Sequence, residues 1–298
     1  MRILVLGGSG MLGHKLVQRW RNEFDVWTTL RGPFADYERF GIFERDKTID
    51  SLSVFDEAAL ESAIEKVRAD VIFNAVGIVK QIPTAKNAVA TILINSVLPH
   101  QLAGLAAKFD ARLIQISTDC VFEGTRGNYT EDDRPDATDL YGKSKNLGEV
   151  VAENCLTIRT SIIGRELTTG HGLVEWALSN SGKRVKGYAN AIFSGFPTLV
   201  LADIISNLIG NHRDLSGLYH VSSEPINKFD LLNLIKNSYN IDIEIERFED
   251  FQIDRSLDST RFRIATGFSP VTWPEMIEQM AKDVTPYKDW RQNKGAVV

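Results

Sequence analysis

At 298 residues, with 43% hydrophobic and 24% charged residues, the chain can bury a full core and has the composition of an ordinary globular protein. A formal net charge of −5 argues against nucleic acid or an anionic membrane as the main partner. Cys120 and Cys155 are too few for a disulfide framework or a metal cage, and the four apolar residues after Met1-Arg2 are too few for a signal-peptide core or a membrane span, so a cytoplasmic protein is expected.

In chain order, residues 3–6 read as a buried strand, 11–20 as a helix and 26–30 as a second strand. A third, weakly marked strand is expected near 48–54. An amphipathic helix over 57–67 leads to a strand over 71–76, and a long helix over 91–109 leads to a strand over 113–117. Strands alternating with helices imply parallel β-α-β units, hence an α/β fold with a Rossmann-type doubly wound parallel sheet. After residues 158–163 the rhythm becomes irregular, with Gly164, Gly170, Gly172, Gly182 and Gly187. A smaller C-terminal substrate-binding domain is expected to start there. Residues 216–221 look like a strand returning to the sheet, so the two parts interleave. Residues 1–163 and 196–222 are assigned to cofactor binding, and 164–195 and 223–298 to substrate binding.

Gly7-Gly-Ser-Gly-Met-Leu-Gly13 follows the first strand and opens the first helix. Gly7 permits the tight turn, Gly10 lets backbone approach a pyrophosphate, and Gly13 lets the helix pack close to the sheet. The backbone from Met11 and Leu12 onward then meets the phosphates with unpaired N–H groups. The second strand ends in Leu30-Arg31-Gly32 with no acid to bond a ribose 2′-hydroxyl. Arg31 suits the 2′-phosphate of NADP, which favours NADP over NAD; the alternative is a solvated surface arginine.

Tyr141 and Lys145 sit four residues apart, on one face of a helix. A phenol titrates near pH 10 when free, and a neighbouring ammonium favours its ionised form. It can then pass a proton to a carbonyl oxygen as hydride reaches the carbonyl carbon. Lys145 can also hold the nicotinamide ribose, so both residues count toward cofactor binding. Thr118, at the carboxyl end of its strand, can donate to the same carbonyl oxygen. Asp119 has two readings: it orients the substrate or Tyr141, or it terminates the strand. Cys120 reads as a packed side chain rather than a nucleophile. His14, His100, His171, His212 and His220 show no paired ligand spacing, so no catalytic metal is expected.

These residues resemble the extended short-chain dehydrogenase/reductase superfamily, and more closely its dTDP-4-dehydrorhamnose reductase family. The likeness rests on Gly7-x-x-Gly10-x-x-Gly13, on Ser117-Thr-Asp-Cys-Val-Phe-Glu-Gly-Thr-Arg-Gly-Asn-Tyr-Thr-Glu-Asp132 and on Tyr141-Gly-Lys-Ser-Lys-Asn-Leu-Gly-Glu149. It implies a catalytic trio of Thr118, Tyr141 and Lys145 with Asp119 assisting. It also implies that Ala75, Val76 and Gly77 lie along the cofactor, that Ser53 and Val54 lie around the adenine, and that Arg159-Thr-Ser161 lies beside the nicotinamide. The family has Asp where Ser53 stands, and a tryptophan where Ile162 stands. The implied activity is NADPH-dependent reduction of a keto group on a nucleotide-activated deoxy sugar. An epimerase or dehydratase of the same superfamily is the alternative, although Cys120 stands where a dehydratase carries Glu. A third reading is a non-catalytic NADP-binding subunit, because the regulatory subunit of methionine adenosyltransferase resembles the same reductases.

The nucleotide-sugar diphosphate requires fixed cations, and Lys183, Arg184, Lys186, Arg255 and Arg261 follow the expected boundary. Arg255 and Arg261 are the chosen pair, because their polar segment can fold over a cleft. Residues 91–109 and the helix of Tyr141 can each pair with a second copy in a homodimer, or simply cover the sheet.

Overall fold

A computed structural model describes residues 1–80 and 83–292. The strands, in chain order, are β1 (Arg2–Leu6), β2 (Asp25–Thr29), β3 (Thr48–Ile49), β4 (Val71–Asn74), β5 (Arg112–Thr118), β6 (Cys155–Thr160), β7 (Ile162–Ile163), β8 (Arg184–Phe193), β9 (Phe196–Pro197), β10 (Gly217–His220), β11 (Ile226–Asn227) and β12 (Glu244–Asp254). A seven-stranded sheet has the order β10-β6-β5-β4-β1-β2-β3, with every neighbouring pair parallel. The Rossmann-type sheet read from the sequence is therefore present. Its strand order reverses between β1 and β4, which opens a crevice at their carboxyl ends, where such sheets take ligands.

The near-continuous apolar runs of β1 and β4 follow from burial on both faces. Side chains alternate across the sheet. Ile3 and Val5 join one core with Leu16, Trp20, Phe73, Leu201 and Ile205. Leu4 and Leu6 join the other with Leu60, Ile64, Leu98, Leu102 and Leu113. The helices Gly13–Trp20 and Thr198–Asn211 cover the first face, and the Trp20 indole donates to the Ala202 carbonyl at 2.9 Å. Removing that fully buried ring would cost ~3–5 kcal/mol.

Boundaries differ from the sequence reading where side chains intervene. β4 stops at Asn74 because its Oδ1 accepts from Val76 N at 3.0 Å while its Nδ2 donates to Gln115, which turns the chain. The expected third strand keeps only Thr48–Ile49. The long helix begins at Ala88, capped by the Asn87 side chain, and passes through one π-helical stretch, Leu93–Val97. Ala88–Lys108 has the length and apolarity of a membrane span, yet Leu98, Leu102 and Ala106 are packed into the second core.

Beyond β6 the strands pair in smaller groups. β8 lies between antiparallel β11 and parallel β12, and β7 pairs with β9. Helices Lys228–Tyr239 and Trp273–Ala281 pack with this part, the first capped by Asn227 and the second by a Thr272/Glu275 capping box. β10 returns to the central sheet beside β6, as the sequence pattern implied.

Candidate active site

The glycine loop sits at the mouth of the crevice. Gly7 has φ +82, a left-handed conformation that side chains resist, and its N–H donates to Thr29 Oγ1 at 3.1 Å. A Cβ on Gly13 would lie 2.1 Å from the Gly7 carbonyl oxygen, so only glycine lets the helix approach this closely. No side chain caps the helix Gly13–Trp20; His14 N and Lys15 N bond to the carbonyls of Gly10 and Leu12, so the N–H groups at the very start of the turn, from Met11 to Gly13, are the ones an anion can approach. Gly10 is exposed there, Met11 lies half-buried and Leu12 is buried. This cradle fits a pyrophosphate.

The rest of the expected cofactor path adjoins it. Val76 Cγ2 is 3.0 Å from the position a Cβ would take on Gly7, so the stretch Ala75, Val76, Gly77 borders the loop. Arg31 is exposed directly after β2. Ser53 is exposed and Val54 half-buried in the turn after β3. Residues at both the pyrophosphate and the adenosine end therefore suit a nicotinamide dinucleotide.

Thr118, Asp119, Tyr141 and Lys145 gather around the end of β5. Thr118 ends that strand, its Oγ1 3.1 Å from Asp119 Oδ1 and accepting from Cys120 N at 3.1 Å. Asp119 is thus buried in the turn and bonded to Thr118; both of its sequence readings are compatible with that place. The helix Leu140–Leu147 starts where the Asp139 side chain accepts from Gly142 N at 2.9 Å. That turn brings Tyr141 close enough to Thr118 for the Thr118 hydroxyl to act on the phenol. Burial pushes the Tyr141 phenol above its ordinary value, Cys120, Asp119 and Asp139 add to this, and the nearby Thr118 hydroxyl opposes it. Burial pulls the Lys145 ammonium down to about 8, against the Glu149 carboxylate, and its Nζ donates to the Ile116 carbonyl at 2.6 Å. Burial and Asp119 raise the Cys120 thiol to about 12, so it is inert at neutral pH.

Of the residues that hold this constellation, Glu149 and Arg159 fall in family-like segments of the sequence, whereas Lys80, Asn95 and Ser96 are not singled out there. Lys80 pairs with Asp139 at 2.5 Å and lies 5.6 Å from the Tyr141 ring centre. Asn95 and Ser96, turned inward by the π-helical stretch, bind Ile78 and Ser144: Asn95 Nδ2 donates to the Ile78 carbonyl and Ser96 Oγ to that of Ser144. Together they lock the loop after β4 to the helix of Tyr141. Behind Lys145, the Arg159 guanidinium forks onto Glu149 through two bonds of 2.7 Å, Ser117 Oγ donates to the same carboxylate, and Arg159 Nη1 lies 3.1 Å from His220 Nε2. Polar residues within apolar helix runs were the available hint for Asn95 and Ser96.

The proposed diphosphate cations are already engaged. Arg255 donates from Nε and Nη2 to the carbonyls of Phe122 and Glu123, and its charge acts on Cys120 and Asp139. Arg261 pairs with Asp132 at 2.7 Å. Arg184 pairs with Glu244, while Lys186 lies over the Phe248 ring.

A parallel sheet with this strand order, a glycine cradle, and Thr, Tyr and Lys at its carboxyl edge define an NAD(P)-dependent oxidoreductase of the extended short-chain dehydrogenase/reductase type. The family described as "RmlD substrate binding domain" matches residues 1–285, and the chain belongs to it. It is similar to the spore coat polysaccharide biosynthesis protein SpsK of Bacillus subtilis (strain 168), at 27% identity over 76% of this chain and 74% of that protein. Methionine adenosyltransferase 2 subunit beta of Mus musculus is 25% identical over 98% of this chain and 90% of its own. Among solved structures, the hypothetical dTDP-4-dehydrorhamnose reductase of Sulfolobus tokodaii superposes with TM-score 0.76 at 28% identity, covering 92% of this chain and 98% of that one.

Proposed function

We propose that the chain reduces a keto group on a nucleotide-activated deoxy sugar, with NADPH as the preferred reductant, in the cytoplasm. One observation carries this reading: Thr118 ends β5, Lys145 bonds to the same strand at Ile116, and Tyr141 lies within reach of Thr118, beside a glycine cradle suited to a pyrophosphate. Bound NADPH supplies hydride to the carbonyl carbon. Thr118 Oγ1 and the Tyr141 hydroxyl bind the carbonyl oxygen, and Tyr141 holds the proton that this oxygen receives. Its raised pKa keeps the phenol protonated at neutral pH, which suits reduction rather than proton abstraction. Lys145 anchors the nicotinamide ribose and stabilises the phenolate left behind. Asp119 accepts the Thr118 hydroxyl hydrogen bond while no substrate is bound, and that bond gives way when Thr118 donates to the carbonyl oxygen; Asp119 then orients the substrate or Tyr141.

Arg31 supports the choice of NADPH, because it is exposed just after β2, a strand whose last residues include no acid. Arg255 and Arg261 stay assigned to the diphosphate, with Arg261 exchanging the Asp132 carboxylate for phosphate oxygens. Residues 164–195 and 223–298 form the substrate-binding part on this reading; 293–298 lie outside the described residues. A homodimer belongs to it too, since Val89, Leu93 and Val97 on one helix and Leu147 on the next expose apolar surface.

The test is NADPH consumption with a panel of nucleotide-linked 4-keto-6-deoxy sugars. Saturable consumption supports the reading, and equal consumption without any sugar removes it. The likeness to methionine adenosyltransferase 2 subunit beta, which spans nearly the whole chain, favours a second reading: a subunit that binds the cofactor without turnover. Tight NADPH binding with no consumption across the panel would select it.

A further inference from the structure

We infer that the C-terminal segment around Tyr287 is a strap that sets the orientation of the phosphate loop, with His14 and Tyr287 as positioning residues for cofactor binding. This rests on the nicotinamide-dinucleotide reading of the glycine cradle.

His14 is fully buried in the first turn of the helix Gly13–Trp20. Its Nδ1 lies 2.7 Å from the Gly10 carbonyl oxygen, and its Nε2 lies 2.7 Å from the Tyr287 hydroxyl. A carbonyl oxygen only accepts, so Nδ1 carries the proton. In the neutral ring Nε2 is then the acceptor, and Tyr287 donates to it. Burial holds the ring neutral, with its pKa lowered to about 3.

The Gly10 carbonyl also accepts from His14 N at 3.1 Å. Two donors from one residue thus aim that oxygen into the helix. Because the peptide unit is planar and trans, the Met11 N–H on the same plane points the opposite way, out of the helix N-terminus. That is the direction from which an anion arrives. His14 therefore presets a donor for the pyrophosphate without touching it.

Tyr287 is itself over-determined. The Arg165 guanidinium lies 4.7 Å from its ring centre, and Arg165 pairs with Glu175 at 2.7 Å. Lys15, next to His14, lies 5.3 Å from the same ring and pairs with Asp283 at 2.5 Å in a nearly dry setting. Its Nζ also reaches Thr285 Oγ1 at 3.2 Å. Further on, the Trp290 ring meets Tyr287 edge-on at 5.6 Å and Phe40 at 5.0 Å. Phe40 belongs to the stretch after Arg31, so the segment spans from the phosphate loop to that stretch. A surface tail serving only to cover apolar area has no need of a neutral histidine aimed at a loop carbonyl.

The test measures binding to the full chain by the variants Tyr287→Phe, His14→Ala and His14→Asn, using NADPH fluorescence and, separately, adenosine 2′-monophosphate. The second probe has no pyrophosphate. Tyr287→Phe keeps the ring but removes the donor, and should weaken NADPH ~5- to 10-fold. His14→Ala should weaken it at least as much. His14→Asn, whose amide nitrogen stands where Nδ1 was, should recover part of the loss. Adenosine 2′-monophosphate should bind all variants within about twofold of the parent chain. Folded Tyr287→Phe and His14→Ala proteins that bind NADPH as the parent does would overturn the strap. Equal loss of both probes would overturn it as well, since that is general loosening. A parent chain that binds neither probe would instead remove the cofactor reading itself.

Discussion

Replacing Glu149 by Gln should destabilise the protein strongly and should also move the pH profile of turnover. The Arg159 and Glu149 side chains are 3% and 7% exposed and share two bonds of 2.7 Å. At an effective dielectric of ~20, charges at that separation attract by ~6 kcal/mol. An amide restores only part of this and turns its NH2 group toward guanidinium donors. Losing one partner of such a pair leaves a buried charge uncompensated and costs ~3–5 kcal/mol. With a urea slope of roughly 2–3 kcal/mol per molar, the unfolding midpoint should fall by ~1–2 M. The double variant Glu149→Leu with Arg159→Met should lose less than Glu149→Gln alone, because no unpaired charge remains. The second effect passes through Lys145. Glu149 is the neighbour that raises the pKa of Lys145, so without it that pKa falls below about 8. Turnover should then decline at lower pH than in the parent. Urea unfolding followed by circular dichroism reads the first effect, and a pH-rate profile the second. A midpoint within ~0.3 M of the parent, or a double variant worse than the single one, would refute the reasoning.

Three other outcomes follow from the same contacts. Arg31→Ala should weaken NADPH by ~1–3 kcal/mol and leave NADH unchanged, as paired dissociation constants will read. His14 and His220 have folded pKa values lowered to about 3 and about 4 by burial, against 6.5 when unfolded. The unfolded chain therefore binds more protons as pH falls through 6.5, and stability should drop by ~1.4 kcal/mol per histidine per pH unit down to about pH 4. Flat stability across that range in thermal melts would contradict the burial of both rings. Asn95→Leu should cut turnover by at least ~10-fold while leaving the fold intact, because it frees the loop at Ile78 and the helix at Ser144. Full turnover in that variant would remove Asn95 from site assembly.

What could be read from the sequence was local. The glycine turn, the continuous apolar runs of β1 and β4, and the helix after Asp56 each carry their cause within a few residues, as the Asp56 cap on Ala59 N illustrates. The four-residue spacing of Tyr141 and Lys145 is likewise a helical property. What escaped was set by distant partners. The π-helical stretch leaves no periodic trace, since its anchors are Ile78 and Ser144. The contact of His14 left no local trace because Tyr287 lies 273 residues further along the chain. Arg255 and Arg261 looked available because the carbonyls of Phe122 and Glu123 and the carboxylate of Asp132 come from a separate loop. β3 shrank to two residues, paired only at Thr28 and Thr29, so it had little pattern to display.

The central claim is hydride transfer assisted by the Tyr141 phenol, and the most direct test compares the parent chain with Tyr141→Phe in a stopped NADPH-oxidation assay on a nucleotide-linked 4-keto-6-deoxy sugar. Phenylalanine keeps the ring but has no proton to give. Turnover should fall at least ~100-fold with NADPH affinity retained. Turnover in the phenylalanine variant within a few-fold of the parent would contradict the account.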